Sequence, residues 1–145
     1  MTQQDKYLID TNVISELRKS NKANPGVLQF FQKAVVQVTP LYLSVITIGE
    51  LWRGVELIRH CGDKPQAALL DTWLQTVLEE YADHILDFTV LEAQVWGRLC
   101  VPHPHNTLDK QIAATALTYG LTLVTRNVSD FAGTGVLLLN PFDIL

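Results

Sequence analysis

The sequence has little of what membrane, secreted and zinc-binding proteins need. No apolar run in its 145 residues is long enough to cross a bilayer, and residues 1–6 lack the apolar segment of a signal peptide. Its two cysteines, Cys61 and Cys100, lie far apart without a Cys-x-x-Cys spacing, so neither a zinc site nor a disulfide framework is expected. We therefore expect a cytoplasmic protein with no membrane association.

Positive charge and phosphate-binding loops are also scarce. The 11 lysines and arginines stand against 15 aspartates and glutamates, which leaves a formal net charge of −4. This balance argues against a general nucleic-acid coat protein, but not against a nuclease whose acidic centre is masked by bound cations. The chain has no G-x-x-x-x-G-K or G-x-G-x-x-G loop. Ser44 and Ser129 lack an obvious histidine partner for nucleophilic catalysis.

What the chain does contain is an alternation of short apolar runs with amphipathic segments. The pattern predicts strands at 6–9, 41–46, 84–88, 121–125 and 136–139. It predicts helices at about 11–19, from 25 to the break at 40, and at 47–60, 66–82, 90–100 and 107–119, with a polar loop at 20–24. Such alternation is typical of an α/β sandwich around a mainly parallel sheet, here as one domain over residues 1–145.

Several local signals mark where helices begin and end. Asn24 before Pro25 predicts a helix start, and Gly120 predicts a helix stop. The segments 47–50 and 89–92 both match the capping-box pattern. Helix 66–82 carries one apolar stripe, which we expect to form core or a dimer interface: Leu69, Leu70, Trp73, Leu74, Val77, Leu78 and Tyr81.

Four carboxylates occupy positions from which they could share a site. Asp10 directly follows the first strand, Glu50 lies one helical turn after the second, and Asp130 lies shortly beyond the fourth. Asp109 lies in the first turn of the helix that precedes the fourth strand. Ligands of parallel sheets bind where the strands end. Four unpaired acids at that edge would repel one another and raise their pKa values unless a cation neutralised them. Hard oxygen ligands suit Mg²⁺ or Mn²⁺, and the chemistry implied is metal-assisted phosphodiester hydrolysis.

Each acid also has a purely structural explanation. Asp10 would cap the first helix, and Glu50 would complete a capping box, as Glu92 does in the same pattern without any functional claim. Asp109 would favour the positive end of its helix dipole. Asp130 would organise a turn.

Four blocks of sequence resemble one family in order along the chain. They are Leu8–Leu17, Ser44–Leu51, Asp109–Ala116, and Leu123–Phe131 with Asn140-Pro141-Phe142. These blocks resemble the PIN-domain ribonucleases, in particular the VapC-like toxins of type II toxin–antitoxin systems, including FitB-like members. The resemblance implies a PIN-like three-layer α/β/α sandwich. It also implies an endoribonuclease toxin that depends on Mg²⁺, with Mn²⁺ as a possible substitute, and that hydrolyses RNA such as tRNA or rRNA.

The resemblance also implies roles for individual residues and partners. Asp10 and Asp109 would be the principal metal ligands, with Glu50 and Asp130 completing the acidic quartet directly or through water. A cognate antitoxin would block the acidic groove, commonly with a basic side chain, and the toxin would form a homodimer or a hetero-oligomer with the antitoxin. The supporting groups near the metal or substrate would be Thr11, Thr125 and Asn127, and we expect Thr11 and Asn12 to cap the helix so that Asp10 faces the metal.

Two other functions fit parts of the sequence. A strand-end Asp followed by Thr resembles phosphatases that form an aspartyl-phosphate, but Asn12 stands where their Asp-x-Asp-x-Thr motif has its second acid. A degenerate PIN fold kept for RNA or protein binding would be expected to lack one or more acids. The loop with His103 and His105 matches no family role. Five basic residues expected near the acids could contact RNA phosphates: Arg18, Lys19, Arg53, Lys110 and Arg126.

Overall fold

Five short parallel strands form the centre of the molecule. The computed structural model describes residues 5–144, so both ends of the predicted 1–145 domain lie outside the described residues. The strands are β1 (Tyr7–Ile9), β2 (Leu41–Ser44), β3 (Ile85–Leu86), β4 (Thr122–Val124) and β5 (Leu138–Leu139). They form one sheet in the order β3-β2-β1-β4-β5, and every neighbouring pair is parallel.

Six α-helices flank this sheet. They are α1 (Thr11–Glu16), α2 (Pro25–Gln37), α3 (Val45–His60), α4 (Lys64–Glu80), α5 (Val90–Leu99) and α6 (Thr107–Tyr119). The α/β class with a parallel central sheet is confirmed. Crossovers by helices place the carboxyl ends of β1, β2 and β4 along one edge of the sheet.

The apolar core lies on both faces of the sheet, which makes the arrangement three-layered. Successive strand residues point to opposite faces, so Leu8 and Leu123 pack with α6, whereas Ile9 and Val124 pack with helices α1 to α4. All four of these residues are fully buried. A strand buried on both faces reads as a continuous apolar run, and this explains why the pattern at 7–9 carries no alternation.

The boundary between β2 and α3 differs from the prediction. The strand was expected to reach residue 46 and the helix to start at Thr47, but β2 ends at Ser44 and α3 begins at Val45. The Ser44 hydroxyl accepts the Ile46 N–H at 3.0 Å and caps the helix. The prediction of a capping box from Thr47 to Glu50 is therefore wrong, because a serine three residues earlier takes the capping position.

The segment between α1 and α2 also differs from the prediction. Helix α1 ends at Glu16, and a 3₁₀ turn covers Leu17–Lys22 in place of the expected end of the helix and part of the polar loop. The buried Glu16 carboxylate stabilises this turn, since it accepts the Asn24 N–H at 3.0 Å and pairs with Lys19 at 2.8 Å. A buried acid with partners on both sides was not visible in the apolar pattern.

Most of the other helix signals are confirmed. Asn24 caps α2 through its side-chain oxygen, the Thr89–Glu92 capping box forms, and Gly120 ends α6 with a φ of 67°. Helix α4 starts at Lys64, earlier than expected, because Asp63 caps it and Pro65 fits the first turn. Its apolar stripe packs into the core except for Leu69, which is 67% exposed.

Candidate active site

Asp10 connects the first strand to the first helix and points toward the end of β4. Asp10 is only 3% exposed. One carboxylate oxygen, Oδ1, accepts the Thr11 N–H at 2.8 Å, so Asp10 itself caps α1. The other, Oδ2, accepts the Thr125 hydroxyl at 2.8 Å and the Asn12 amide at 3.3 Å. The expectation that Thr11 and Asn12 do the capping is wrong. The Asp10 carboxylate caps the helix with one oxygen, and with the other it bonds Thr125 at the end of the neighbouring strand.

Thr125 and Asn12 join the ends of β1 and β4. Thr125 is fully buried, and its hydroxyl oxygen accepts the Asn127 N–H at 3.1 Å while the hydroxyl donates to Asp10. The Asn12 side-chain oxygen accepts the Arg126 N–H at 3.0 Å. Asn127 thus contributes its backbone, and the residue itself is exposed. Asn12 belongs to this network, and its role as a link between two strands was not predicted. Its position two residues after the strand-end acid was the signal in the sequence that could have indicated this role.

Glu50 enters the site through Thr11. The Thr11 hydroxyl donates to Glu50 Oε1 at 2.7 Å and lies 3.4 Å from the buried Thr47 hydroxyl. Because α3 begins at Val45, Glu50 lies in its second turn and faces α1 rather than its own helix start. Thr11 therefore contacts two acids, Asp10 through its N–H and Glu50 through its hydroxyl.

Asp109 is the acid on which the charges of the others act most strongly. It lies half-buried in the first turn of α6. Burial, followed by the negative charges of Asp10, Asp130 and Glu50, raises the pKa of Asp109 from 3.8 to about 6. The structure therefore brings the four predicted acids into one electrostatic group.

Asp10 and Asp130 complete this group in different settings. Burial raises the pKa of Asp10, as does the charge of Glu50, while the hydrogen bonds from Thr125, Thr11 and Asn12 oppose the rise. Asp130 lies in a 3₁₀ turn over Val128–Phe131, and its N–H donates to the Asn127 carbonyl at 3.0 Å. The predicted turn at Asp130 is present, and the charge of Asp130 acts on Asp109.

No basic side chain neutralises the four acids within residues 5–144. The ion pairs of this part of the chain join Lys19 to Glu16 and Arg59 to Glu56 and Asp71. Lys110, expected to contact phosphates, is only 8% exposed, and its ammonium group donates to the His103 carbonyl. Although Lys110 directly follows Asp109 on α6, the loop at His103 holds its ammonium group.

The donor chemistry of the group fits a hard divalent cation. A carboxylate has about four lone-pair sites. Three of those on Asp10 are used, and one oxygen of Glu50 accepts the Thr11 hydroxyl. Over the described range, however, no three acidic, histidine or cysteine side chains are already arranged as a metal site. The fit therefore rests on uncompensated negative charge and oxygen donors, and binding would require small side-chain adjustments.

Two clefts open on either side of the acids. One of about 200 Å³ reaches Thr11 and Glu50 and has Arg18 and Trp73 in its walls. The other, of about 300 Å³, reaches Asp130 and is bordered by the loop with His103 and His105. Arg126, exposed beside Thr125, holds its guanidinium 4.9 Å from the centre of the Phe142 ring. Among the described helices, none has the length and apolarity to cross a bilayer.

Comparisons with known proteins agree with this architecture. The PIN domain family profile matches residues 7–135. The chain is 31% identical over 140 residues to the toxin FitB of Neisseria gonorrhoeae, covering 93% of this chain and 97% of FitB. It is 29% identical over 141 residues to the VapC ribonuclease Y4jK of Sinorhizobium fredii, covering 94% and 97%.

A solved structure supports the same assignment. The crystal structure of FitAcB from Neisseria gonorrhoeae superposes with a TM-score of 0.81 at 30% identity, covering 95% of this chain and 99% of that one. The resemblance read from the four sequence blocks is thereby confirmed, and this chain belongs to the PIN domain family.

Proposed function

We propose that this chain is a metal-dependent endoribonuclease and the toxin of a toxin–antitoxin pair. The observation that carries the proposal is the group of four acids whose charges meet at Asp109 without a basic partner in the described residues. Such repulsion costs folding free energy, and a bound divalent cation would offset it. The chain's similarity to a VapC ribonuclease and to toxin FitB supports RNA as the substrate and toxicity as the consequence.

Asp10 and Asp109 would be the principal ligands of Mg²⁺, for which Mn²⁺ could substitute. Glu50 and Asp130 would act directly or through bound water. When bound, the ion would lower the pKa of a water molecule and offset the negative charge that develops on the phosphate. Because few protein groups would bind the Mg²⁺ ion, its other coordination positions would be open to water and phosphate oxygens.

The surrounding side chains hold the ligands in place. Thr125 and Asn12 fix one oxygen of Asp10, and Thr11 fixes Glu50, so two acids from distant segments keep their separation without a cation. Asp109, with a pKa of about 6, holds its proton in about half of the metal-free molecules at a pH of about 6 and in about a tenth of them one pH unit higher. Releasing that proton on binding the ion makes metal affinity rise with pH.

The proposal also covers the partners. A cognate antitoxin would cover the acidic cleft with a basic side chain, and the toxin would be a homodimer. The RNA would be single-stranded or looped, as in tRNA or rRNA, because exposed bases in such segments can be read individually.

The alternative functions receive less support from the structure. An aspartyl-phosphate mechanism expects a second acid two residues after the nucleophile, but Asn12 stands there and its amide donates to Asp10 at 3.3 Å. A non-catalytic binding module would gain nothing from four mutually repelling acids. The nuclease proposal accounts for the four acids.

The test combines cleavage in vitro with growth in cells. We expect the purified chain to cut single-stranded RNA in Mg²⁺, to stop when EDTA removes the metal, and to resume when Mg²⁺ is restored. Induction of this chain in bacteria should arrest growth. The Asp109→Asn substitution, or co-expression of an antitoxin encoded beside the chain, should relieve the arrest. RNA cleavage that continues in excess EDTA, or arrest that persists with Asp109→Asn, would contradict the proposal.

A further inference from the structure

The cleft beside Asp130 has an aromatic wall that the proposed chemistry does not use. The rings of His103 and His105 are nearly parallel, with an interplanar angle of 23° and 5.3 Å between their centres. Both residues are exposed. Together they border the cleft whose opposite side is formed by the turn around Asp130 and by residues 132–134.

The loop that carries these rings is anchored at several points. The buried Lys110 ammonium donates to the His103 carbonyl, and the Thr107 hydroxyl donates to the Pro104 carbonyl at 3.0 Å. The Trp96 ring N–H donates to the Thr107 carbonyl at 3.3 Å and ties this segment to α5. Each of these contacts uses the loop backbone, and the two imidazole rings, stacked on each other, stay exposed within the part of the chain that the structure describes.

We propose that His103 and His105 form a stacking platform for one base of a single-stranded RNA. This inference rests on the proposed ribonuclease function, and it names how the substrate is held next to the acids. Bases splayed out of single strands stack on aromatic side chains, histidine included. The two rings are already in the range of an offset stack, so the base extends the stack from an outer ring face.

The charge of the cleft favours a base over a phosphate at this position. Asp130 lines the cleft and would repel a phosphate. The nearby Lys110 is held by a carbonyl oxygen and buried, so it offers little direct contact to an anion. A neutral planar base avoids the repulsion while its neighbouring phosphate approaches the four acids, where the metal would be bound.

The experiment measures RNA affinity in the full-length chain with Asp10→Asn added to prevent hydrolysis. The probes are short fluorescein-labelled poly(A) strands and matching strands in which adenines are replaced by abasic sites. The double substitution His103→Ala and His105→Ala should raise the Kd for poly(A) by about tenfold, which is within the range measured for loss of one stacked base. The same change should leave the Kd for the abasic strand unaltered, a result that a merely structural role would not produce.

Two further variants separate stacking from other effects. His103→Phe with His105→Phe keeps planar rings and should retain the poly(A) affinity. His60→Ala removes an exposed histidine from the far end of α3, about 24 Å along the helix from its start, and should change nothing. The His103 and His105 substitutions keep the backbone carbonyls, so the anchoring by Lys110 and Thr107 persists.

Several outcomes would overturn the inference: no RNA binding by the Asp10→Asn chain, an unchanged Kd in the alanine double variant, equal weakening for the abasic strand, or loss of affinity in the phenylalanine variant. Cleavage by the wild-type chain, assayed in parallel, tests the proposed function separately. Cleavage with an unchanged Kd leaves the ribonuclease proposal standing and removes the platform. Binding that depends on the rings, in a chain that does not cleave RNA, supports the platform and contradicts the ribonuclease proposal.

Discussion

Replacing Asp109 by Asn should stabilise the metal-free protein while preventing it from using metal. The substitution removes one charge from the four-acid group and nearly preserves the shape of the side chain. The pKa of Asp109 is about 6 in the folded chain against an ordinary value of 3.8. Because the folded value is higher, the folded chain binds the proton more tightly, and its stability falls as the pH rises from about 3.8 through about 6.

The size of the effect follows from three contributions. A difference of about two pKa units corresponds to at most about 3 kcal/mol. Asp109 is only half-buried, so screening by solvent reduces this to about 1.5 kcal/mol. Loss of a carboxylate from the first turn of α6 costs about 0.5 kcal/mol. The net stabilisation is about 1 kcal/mol at neutral pH, equivalent to a rise of about 3 °C in Tm.

Thermal melts followed by circular dichroism measure this effect in metal-free buffer. Asp109→Asn should melt higher than wild type at neutral pH, and the difference should vanish or reverse at about pH 4, where the wild-type carboxyl is largely protonated. Adding Mg²⁺ should raise the Tm of wild type but not of the variant. Asp83→Asn, which removes an exposed acid from the turn after α4, is the matched control and should show none of these changes.

The reasoning would be refuted by a variant that is less stable than wild type at neutral pH without metal. It would also be refuted if Mg²⁺ raised the Tm of both proteins equally, since the ion would then be bound elsewhere.

Three further substitutions test the supporting structure. Thr125→Val removes the buried hydroxyl that forms hydrogen bonds with Asp10 Oδ2 and the Asn127 N–H. It should lower the free energy of unfolding in urea by about 1–2 kcal/mol and slow RNA cleavage, and Thr125→Ser should restore both. Glu92→Gln should cost about 1 kcal/mol in the same assay and leave cleavage unchanged, because it weakens the capping box of α5 and the hydrogen bond with Tyr119, both away from the four acids. Burial acts to raise the pKa of Glu92, but its hydrogen bonds, chiefly those with Thr89 and also that with Tyr119, outweigh this and lower it, so the wild-type advantage should disappear as the pH falls below 4.5. Gly26→Ala should lower the free energy of unfolding by about 2 kcal/mol, and with it the Tm, because a Cβ there would collide with the Pro141 and Ile144 carbonyl oxygens.

The order of strands and helices could be predicted because it depends on local pattern. A continuous apolar run such as 7–9 indicates a strand buried on both faces, and Gly120 marks a helix end by its left-handed conformation. Boundaries were less predictable where two capping residues compete. Ser44 and Thr47 are both residue types that cap helices, and in the structure Ser44 caps α3 while Thr47 lies within its first turn.

The positions of the four acids followed from the topology, but their connections did not. The contact of Thr11 with Glu50 crosses 39 residues of sequence, and that of Thr125 with Asp10 crosses 115. Such contacts depend on side-chain rotamers that no local pattern encodes. Lys110 shows the same limit, since its neighbour Asp109 faces the acids while its own side chain is buried against the loop at His103.

The cleavage rate of the Asp10→Asn variant tests the central claim most directly. Purified wild type and variant would be given the same single-stranded RNA in Mg²⁺, after melting curves establish that both are folded. We expect the variant to cleave at least about a hundredfold more slowly, a larger loss than removal of an outer-shell partner of a metal ligand typically causes. Cleavage by Asp10→Asn at the wild-type rate would contradict the account.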